Sequence, residues 1–186
     1  MTSTPPRTAE PGGARRHRVV PSPVGPLIVV VDADGRLAGL YLSGQRHLPP
    51  ATDLGVRDDG VAGEAVRQLG EYFAGERTRF QLDLAPSGTP FQRRVWDALT
   101  AIPAGTTATY GGLAASMGLA PGHGRAVGAA VGRNPISIVV PCHRVIGRDG
   151  TLTGYAGGLE RKRWLLRHEG ALPGDGADQS PLPGAQ

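Results

Sequence analysis

From His17 onward the apolar positions first follow the spacing of strands. Leu27 to Val31 is a β-branched apolar run, Asp32-Ala33-Asp34-Gly35 is a turn, and Leu37, Leu40 and Leu42 continue a second arm. This pattern predicts a hairpin. Residues 43–60 carry Gly, Pro and Asp without periodicity and read as a loop. Apolar residues at 62, 65, 66, 69 and 73 then define one face of a helix, with Gly75 placed to cap its C-terminus. Phe80, Leu82 and Leu84 alternate with polar residues and predict a further strand. Strands plus one helix make a small α+β domain that ends near residue 85.

Pro86-Ser87-Gly88 marks a boundary, and helical spacing follows it. Thr89 is placed as an N-cap, Pro90 at the first helical position, and Gln92 to complete a capping box. Phe91, Val95, Leu99 and Ile102 line one face, and Pro103 ends the helix. Thr109 caps a short helix through Met117, stopped by Gly118. A second short helix runs from about His123 to Gly132, and the pair with its tight turn reads as a helix-turn-helix. Three glycines between 124 and 132 weaken that helix by about 1 kcal/mol each relative to alanine. Two readings stay open: close packing against a neighbouring element, or close approach to a DNA groove flanked by Arg125 and Arg133. Leu159 to His168 is a last helix, with Trp164, Leu165 and Leu166 for burial and Gly170 just past its end.

Between these helices lies the stretch Ile136 to Val145, I-S-I-V-V-P-C-H-R-V. Its apolar run predicts a short strand buried on both faces and ended by Pro141, with Cys142 just beyond. His143 and Arg144 follow, and positive charge beside a cysteine favours its thiolate. A lone cysteine among apolar residues is also an ordinary core residue. The polar pair after it argues against that, because a core does not accept two such side chains without partners.

Composition narrows the context. One cysteine excludes an internal disulfide and a Cys-rich zinc site. No stretch has the uninterrupted apolar length of a membrane span, and the N-terminus has no secretory core, so a cytoplasmic protein is expected. Residues 1–85 carry ten arginines and ten acidic residues, whereas residues 86–170 carry nine arginines and one lysine against four acidic residues, a net of +6. The basic excess accompanies the cysteine, which suits a phosphate-rich partner. Arginine-rich composition throughout the chain gives the same excess without a partner.

In order along the second half, Thr89-Pro-Phe-Gln, Thr109-Tyr-Gly, Arg125-Ala-Val-Gly, Asn134-Pro, Pro141-Cys-His-Arg-Val, Gly154-Tyr-Ala-Gly-Gly and Trp164-Leu-Leu-Arg-His-Glu-Gly resemble the O6-alkylguanine-DNA alkyltransferases. The resemblance implies an α+β chain. A disordered tail (1–16) precedes a small ribonuclease-H-like domain (17–85). A mostly helical, winged-helix-like DNA-binding and catalytic domain (86–170) and a second disordered tail (171–186) follow. It implies direct-reversal repair, in which Cys142 accepts a methyl or other alkyl group from O6-alkylguanine, or from O4-methylthymine. His143 would act through a water as the base, and Glu169 would orient it. Asn134 would tie the helix-turn-helix to the cysteine loop. Tyr110 would donate a proton to the departing guanine, and Arg125 would fill the place of the extruded nucleotide. Gly128 and Arg133 would complete the DNA-binding surface, and Val145, Tyr155 and Ala156 the base pocket. Ala156 stands where some relatives have serine. The expected partner is double-stranded DNA containing O6-alkylguanine, bound by a monomer without a cofactor, a metal or an obligatory protein partner. A cysteine hydrolase would also need Cys, His and an acid but has no use for a basic helix-turn-helix. A pure DNA-binding module has no use for Cys142.

Overall fold

The computed structural model describes residues 15–173 and 181–182. Its first half is a four-stranded sheet with strand order β3-β2-β1-β4. β1 (Arg16–Val20) pairs antiparallel with β2 (Leu27–Val31), and β2 with β3 (Leu37–Leu42). The expected hairpin is therefore present. Its turn is closed by Asp32, whose carboxylate accepts from the backbone N–H groups of Asp34 and Arg36, while Gly35 takes a φ of 81°. A helix, α2 (Gly63–Phe73), follows the short α1 (Ala51–Leu54) and covers the sheet with Ala65, Leu69 and Tyr72. Gly75, at φ 77°, ends α2: its N–H reaches Tyr72 O, and Glu76 N–H reaches Glu71 O. That is the left-handed cap expected of a glycine there.

The second half is helical: α3 (Pro90–Thr100), α4 (Tyr110–Ser116), α5 (Gly124–Val131) and α6 (Leu159–His168). At α3 the Thr89 hydroxyl accepts from Gln92 N–H while the Gln92 side chain accepts from Thr89 N–H, so the capping box forms. Thr109 caps α4 by accepting from Gly112 N–H. Gly170 and Ala171 close α6 through Arg167 O and Leu166 O. Trp96 donates its indole N–H to Ala130 O, 2.9 Å, and docks α3 on α5. A two-residue parallel pair, β5 (Ala108–Thr109) and β6 (Val145–Ile146), joins the entry of α4 to the exit of the cysteine turn. Apolar side chains of both halves share one core.

Several expectations are corrected. The loop at 43–60 contains α1 and a fourth strand, β4 (Val56–Arg57), parallel to β1. β4 has no apolar pattern because it is exposed on both faces, and backbone bonds to Arg15 and His17 hold it. Residues 80–84 alternate in burial but form only an isolated bridge, Leu37 with Leu84. α3 does stop before Pro103, with its C-cap at Ala101. Ile136–Pro141 is buried but is not a strand. After one bridge to Leu40 it turns on itself, with Ile138 at φ 69°. Arg16 belongs to β1 and Leu182 donates its N–H to Pro23 O, so the expected disorder does not extend to them. Otherwise that expectation falls largely on residues 1–14, 174–180 and 183–186, outside the described residues.

The edge strand β3 positions the site. Leu40 N–H donates to Pro135 O and Ser137 N–H to Leu40 O, at 2.8 and 2.9 Å. The segment leading to Cys142 thus satisfies an edge that would otherwise be open. Because α3 begins the half that carries this segment, its cap bears on stability directly. Thr89→Ala should lower the unfolding free energy by about 1 kcal/mol, read as a reduced urea midpoint with an unchanged denaturant slope.

Candidate active site

Cys142, His143 and Arg144 form a single 3-10 turn, all three buried. Asn134 shapes the approach to it. Its side-chain oxygen accepts from Ile136 N–H at 3.0 Å, and its amide donates to Val140 O at 2.8 Å and to Cys142 Sγ at 3.1 Å. One amide therefore holds both ends of the 136–140 turn and touches the thiol. Ile138, a β-branched residue with positive φ, is a strained position that such surroundings must over-determine.

The charges beside the cysteine are arranged differently from the sequence expectation. Glu169, the C-cap of α6, accepts from Arg144 Nε and Nη2 at 2.8 Å each and from His143 Nε2 at 2.9 Å. Tyr72 Oη adds a fourth bond, to Glu169 Oε1 at 2.8 Å. Burial alone would raise the Glu169 carboxyl, but the hydrogen bonds and charges of His143 and Arg144 outweigh it and hold the group well below the usual carboxylate range. Burial pushes the His143 imidazole down, against the pull of Glu169, so the ring is neutral near pH 7. With an ionised acceptor at Nε2, that nitrogen carries the proton. Nδ1 keeps its lone pair and has no protein partner.

Burial also pushes the Cys142 thiol up, and the Asn134 amide and the Lys162 charge only partly oppose it. The expected thiolate is therefore corrected: the resting group is a thiol. Arg144 is neutralised by Glu169 and His143 is uncharged, so neither supplies the free positive charge the sequence suggested.

Lys162 does supply a charge, and the sequence gave no sign of it. In the Arg161-Lys162-Arg163 run it reads as one of three surface cations, yet it is fully buried. Its Nζ donates to Val145 O at 2.5 Å and Thr153 O at 2.7 Å, joining the cysteine turn to the glycine loop. Burial lowers its pKa to about 8.

A cavity of about 310 Å³ opens where these elements meet. Tyr110 of α4, Gly128 and Arg133 at α5, and Tyr155 and Ala156 of the glycine loop line it together. Arg46 and His47 of the sheet half also line it, which the sequence reading missed. Tyr110 Oη lies 3.3 Å from Thr153 O, and its phenol is pushed up by burial and so stays protonated. Cys142 and Val145 are buried outside this lining. Arg125 stands on the exposed outer face of α5 with Ala126, Ala129 and Arg133; the Ala129 and Arg133 end of that face borders the cavity, while Arg125 and Ala126 lie away from it. Gly124 and Gly128 face Tyr110 instead, where a Cβ would sit 3.5 to 3.9 Å from its neighbours. Those two glycines therefore belong to the α4–α5 contact, and the small outward residues are alanines.

Two short helices in a basic, helical half, with a buried cysteine beside a His–Glu pair, define the class as a DNA-binding domain joined to a reactive centre. Comparison with known proteins agrees with that class. Residues 90–171 match the 6-O-methylguanine DNA methyltransferase DNA-binding domain, and residues 16–86 its ribonuclease-like domain. A methylated-DNA--protein-cysteine methyltransferase of Salmonella typhimurium is 51% identical over 162 residues, covering 82% of this chain and 94% of that protein. The one from Mycolicibacterium paratuberculosis is 52% identical over 153 residues, covering 82% and 91%. The crystal structure of Mycobacterium tuberculosis OGT in complex with DNA superposes with a TM-score of 0.77 at 47% identity, covering 84% of this chain and 93% of that one. The chain belongs to the 6-O-methylguanine DNA methyltransferase family. Its two-part α+β fold, a sheet domain followed by a helical DNA-binding domain, is the fold of that family.

The Glu169 network yields a pH prediction. A depressed carboxyl contributes stability that is present above its unfolded value, near 4.5, and is lost as pH falls through the folded value. Glu169→Gln should cost about 3–5 kcal/mol at neutral pH, since it leaves Arg144 buried without a counter-charge. The gap between wild type and variant should narrow steadily as denaturation curves are taken below that unfolded value.

Proposed function

We propose that this chain repairs alkylated DNA directly, by moving the alkyl group from O6 of guanine in a duplex to Cys142. The position of Cys142 carries the reading. It is held by Asn134 and adjoins in the chain both the His143–Glu169 pair and Val145, whose carbonyl Lys162 ties to Thr153 at the edge of the glycine loop that lines the cavity.

His143 Nδ1 takes the thiol proton through a bridging water, and Glu169 steadies the imidazolium that forms. The resulting thiolate is supported by the Asn134 amide and the Lys162 ammonium. It attacks the alkyl carbon; the C–S bond forms as the C–O6 bond breaks, and the electron pair leaves with the guanine. Tyr110, a protonated phenol, donates to the departing base. Tyr155, Ala156 and the backbone at Val145 hold the base outside the stack, and Arg125 occupies the gap it leaves. Arg133 completes the surface that meets the DNA, Gly128 lets α5 pack close against Tyr110 beneath it, and Arg46 and His47 add to its rim. The division lies near residue 86, the protein acts as a monomer in the cytoplasm, and O4-methylthymine is a second substrate.

The product is a thioether, which has no good leaving group, and no second cysteine exists to accept the alkyl group. With a tenfold excess of O6-methylguanine duplex, repair should stop near one guanine per active molecule. One methyl's mass should appear on the peptide containing Cys142, and Cys142→Ser should bind the duplex without transfer. Repair continuing past that plateau would count against the reading. Arg125→Ala should slow repair in duplex DNA more than in a short single strand, since only the duplex must be unstacked by a few kcal/mol. Equal losses on the two substrates, measured by single-turnover kinetics, would reduce Arg125 to a phosphate contact.

A further inference from the structure

The Glu169 carboxylate is not completed by the half of the chain that carries the cysteine. Glu169 Oε1 accepts from His143 Nε2 and from Arg144 Nη2, and its third donor is the hydroxyl of Tyr72, 97 positions earlier in the chain on α2 of the sheet domain. Both partners are sealed from solvent: Tyr72 is 1% exposed and the Glu169 side chain 2%. The phenol is itself tightly placed. Its ring meets Phe73, Phe80 and His168 at centroid distances of 5.2, 5.4 and 5.1 Å. His168 lies stacked on Trp164, and its Nε2 is 2.7 Å from Tyr72 O.

We propose that Tyr72 is a positioning residue for the alkyl transfer, through which the sheet domain sets the hydrogen-bonding strength of Glu169 toward His143. The inference rests on the function proposed above. A carboxylate oxygen shared among three donors is a weaker acceptor for each of them than one shared between two. Tyr72 therefore holds Oε1 in line with the imidazole and moderates how strongly Glu169 favours the protonated ring. Arg144 alone could clamp the carboxylate, but it fixes the plane of both oxygens rather than the load on one. The phenol is suited to this because burial and the Glu169 charge keep its proton in place. The other groups that bear on the pair are accounted for: Arg144 and Lys162 act on His143, Tyr155 and Arg144 act on Tyr72, and His168 faces the Tyr72 ring.

Tyr72→Phe keeps the ring and removes only the donor, so the fold should be retained. Two readouts on the full-length chain test the proposal separately from the function itself. Titration of His143 by 15N NMR of labelled imidazole should show its midpoint move upward by roughly half a pH unit or more in Tyr72→Phe. Single-turnover transfer from an O6-methylguanine duplex should slow roughly two- to tenfold, with duplex affinity unchanged. A purely structural role would lower the thermal midpoint and leave the His143 titration where it was; an unmoved titration overturns the proposal even if transfer slows. In a Glu169→Gln background Tyr72→Phe should no longer shift His143, and an equal shift there would also overturn it. Failure of the wild-type chain to transfer, with the titration still shifted, would sink the alkyl-transfer reading while sustaining the Tyr72–Glu169–His143 coupling.

Discussion

Three segments far apart in the chain meet at one buried carboxylate. Glu169 ends α6, His143 and Arg144 belong to the cysteine turn, and Tyr72 comes from α2 of the sheet domain. An ionised group with almost no solvent contact is tolerable only if donors fill its lone pairs, and here four do. The charge compels the surrounding structure to close: remove any donor and a buried anion is left short of a partner. The same closure sets the chemistry. It consumes the positive charge of Arg144, leaves His143 neutral with a free lone pair, and leaves Cys142 protonated until a base is needed.

A second constraint works on the backbone. Asn134 follows the end of α5 by three residues and gives its amide to the turn that comes next, where it binds Ile136, Val140 and Cys142. Lys162 makes the corresponding tie on the other side, between the cysteine turn and the glycine loop. The edge of β3 supports the segment from below.

Local signals in the sequence were strong wherever the physics is local. Thr89, Pro90 and Gln92 predict the start of α3 because a capping box is made within four residues. Gly75, Gly118 and Gly170 mark helix ends because only a residue without Cβ takes positive φ readily. Pro141-Cys-His-Arg-Val, Asn134 and Glu169 carry the family resemblance, and the structure brings Asn134 to Cys142 and Glu169 to His143. Residues 136–140 were misread as a strand for a related reason. Burial on all sides looks the same in a strand and in a tight turn, and apolar runs carry no signal for the Asn134 bonds that bend this one.

The sequence by itself determined the hairpin, the helices α2 to α6 with their caps and the basic second half, because each depends on neighbours within a few residues. Only the tertiary structure decided the protonation states and the long-range partners. Cys142 rests as a thiol because burial outweighs nearby charge, and burial is a property of the whole fold. Lys162, one cation in a basic run, becomes the buried tie between two loops because α6 turns that face inward. Tyr72 reaches Glu169 across 97 positions, a contact that no local pattern encodes, since it exists only once the sheet domain and the helical domain have packed into one core.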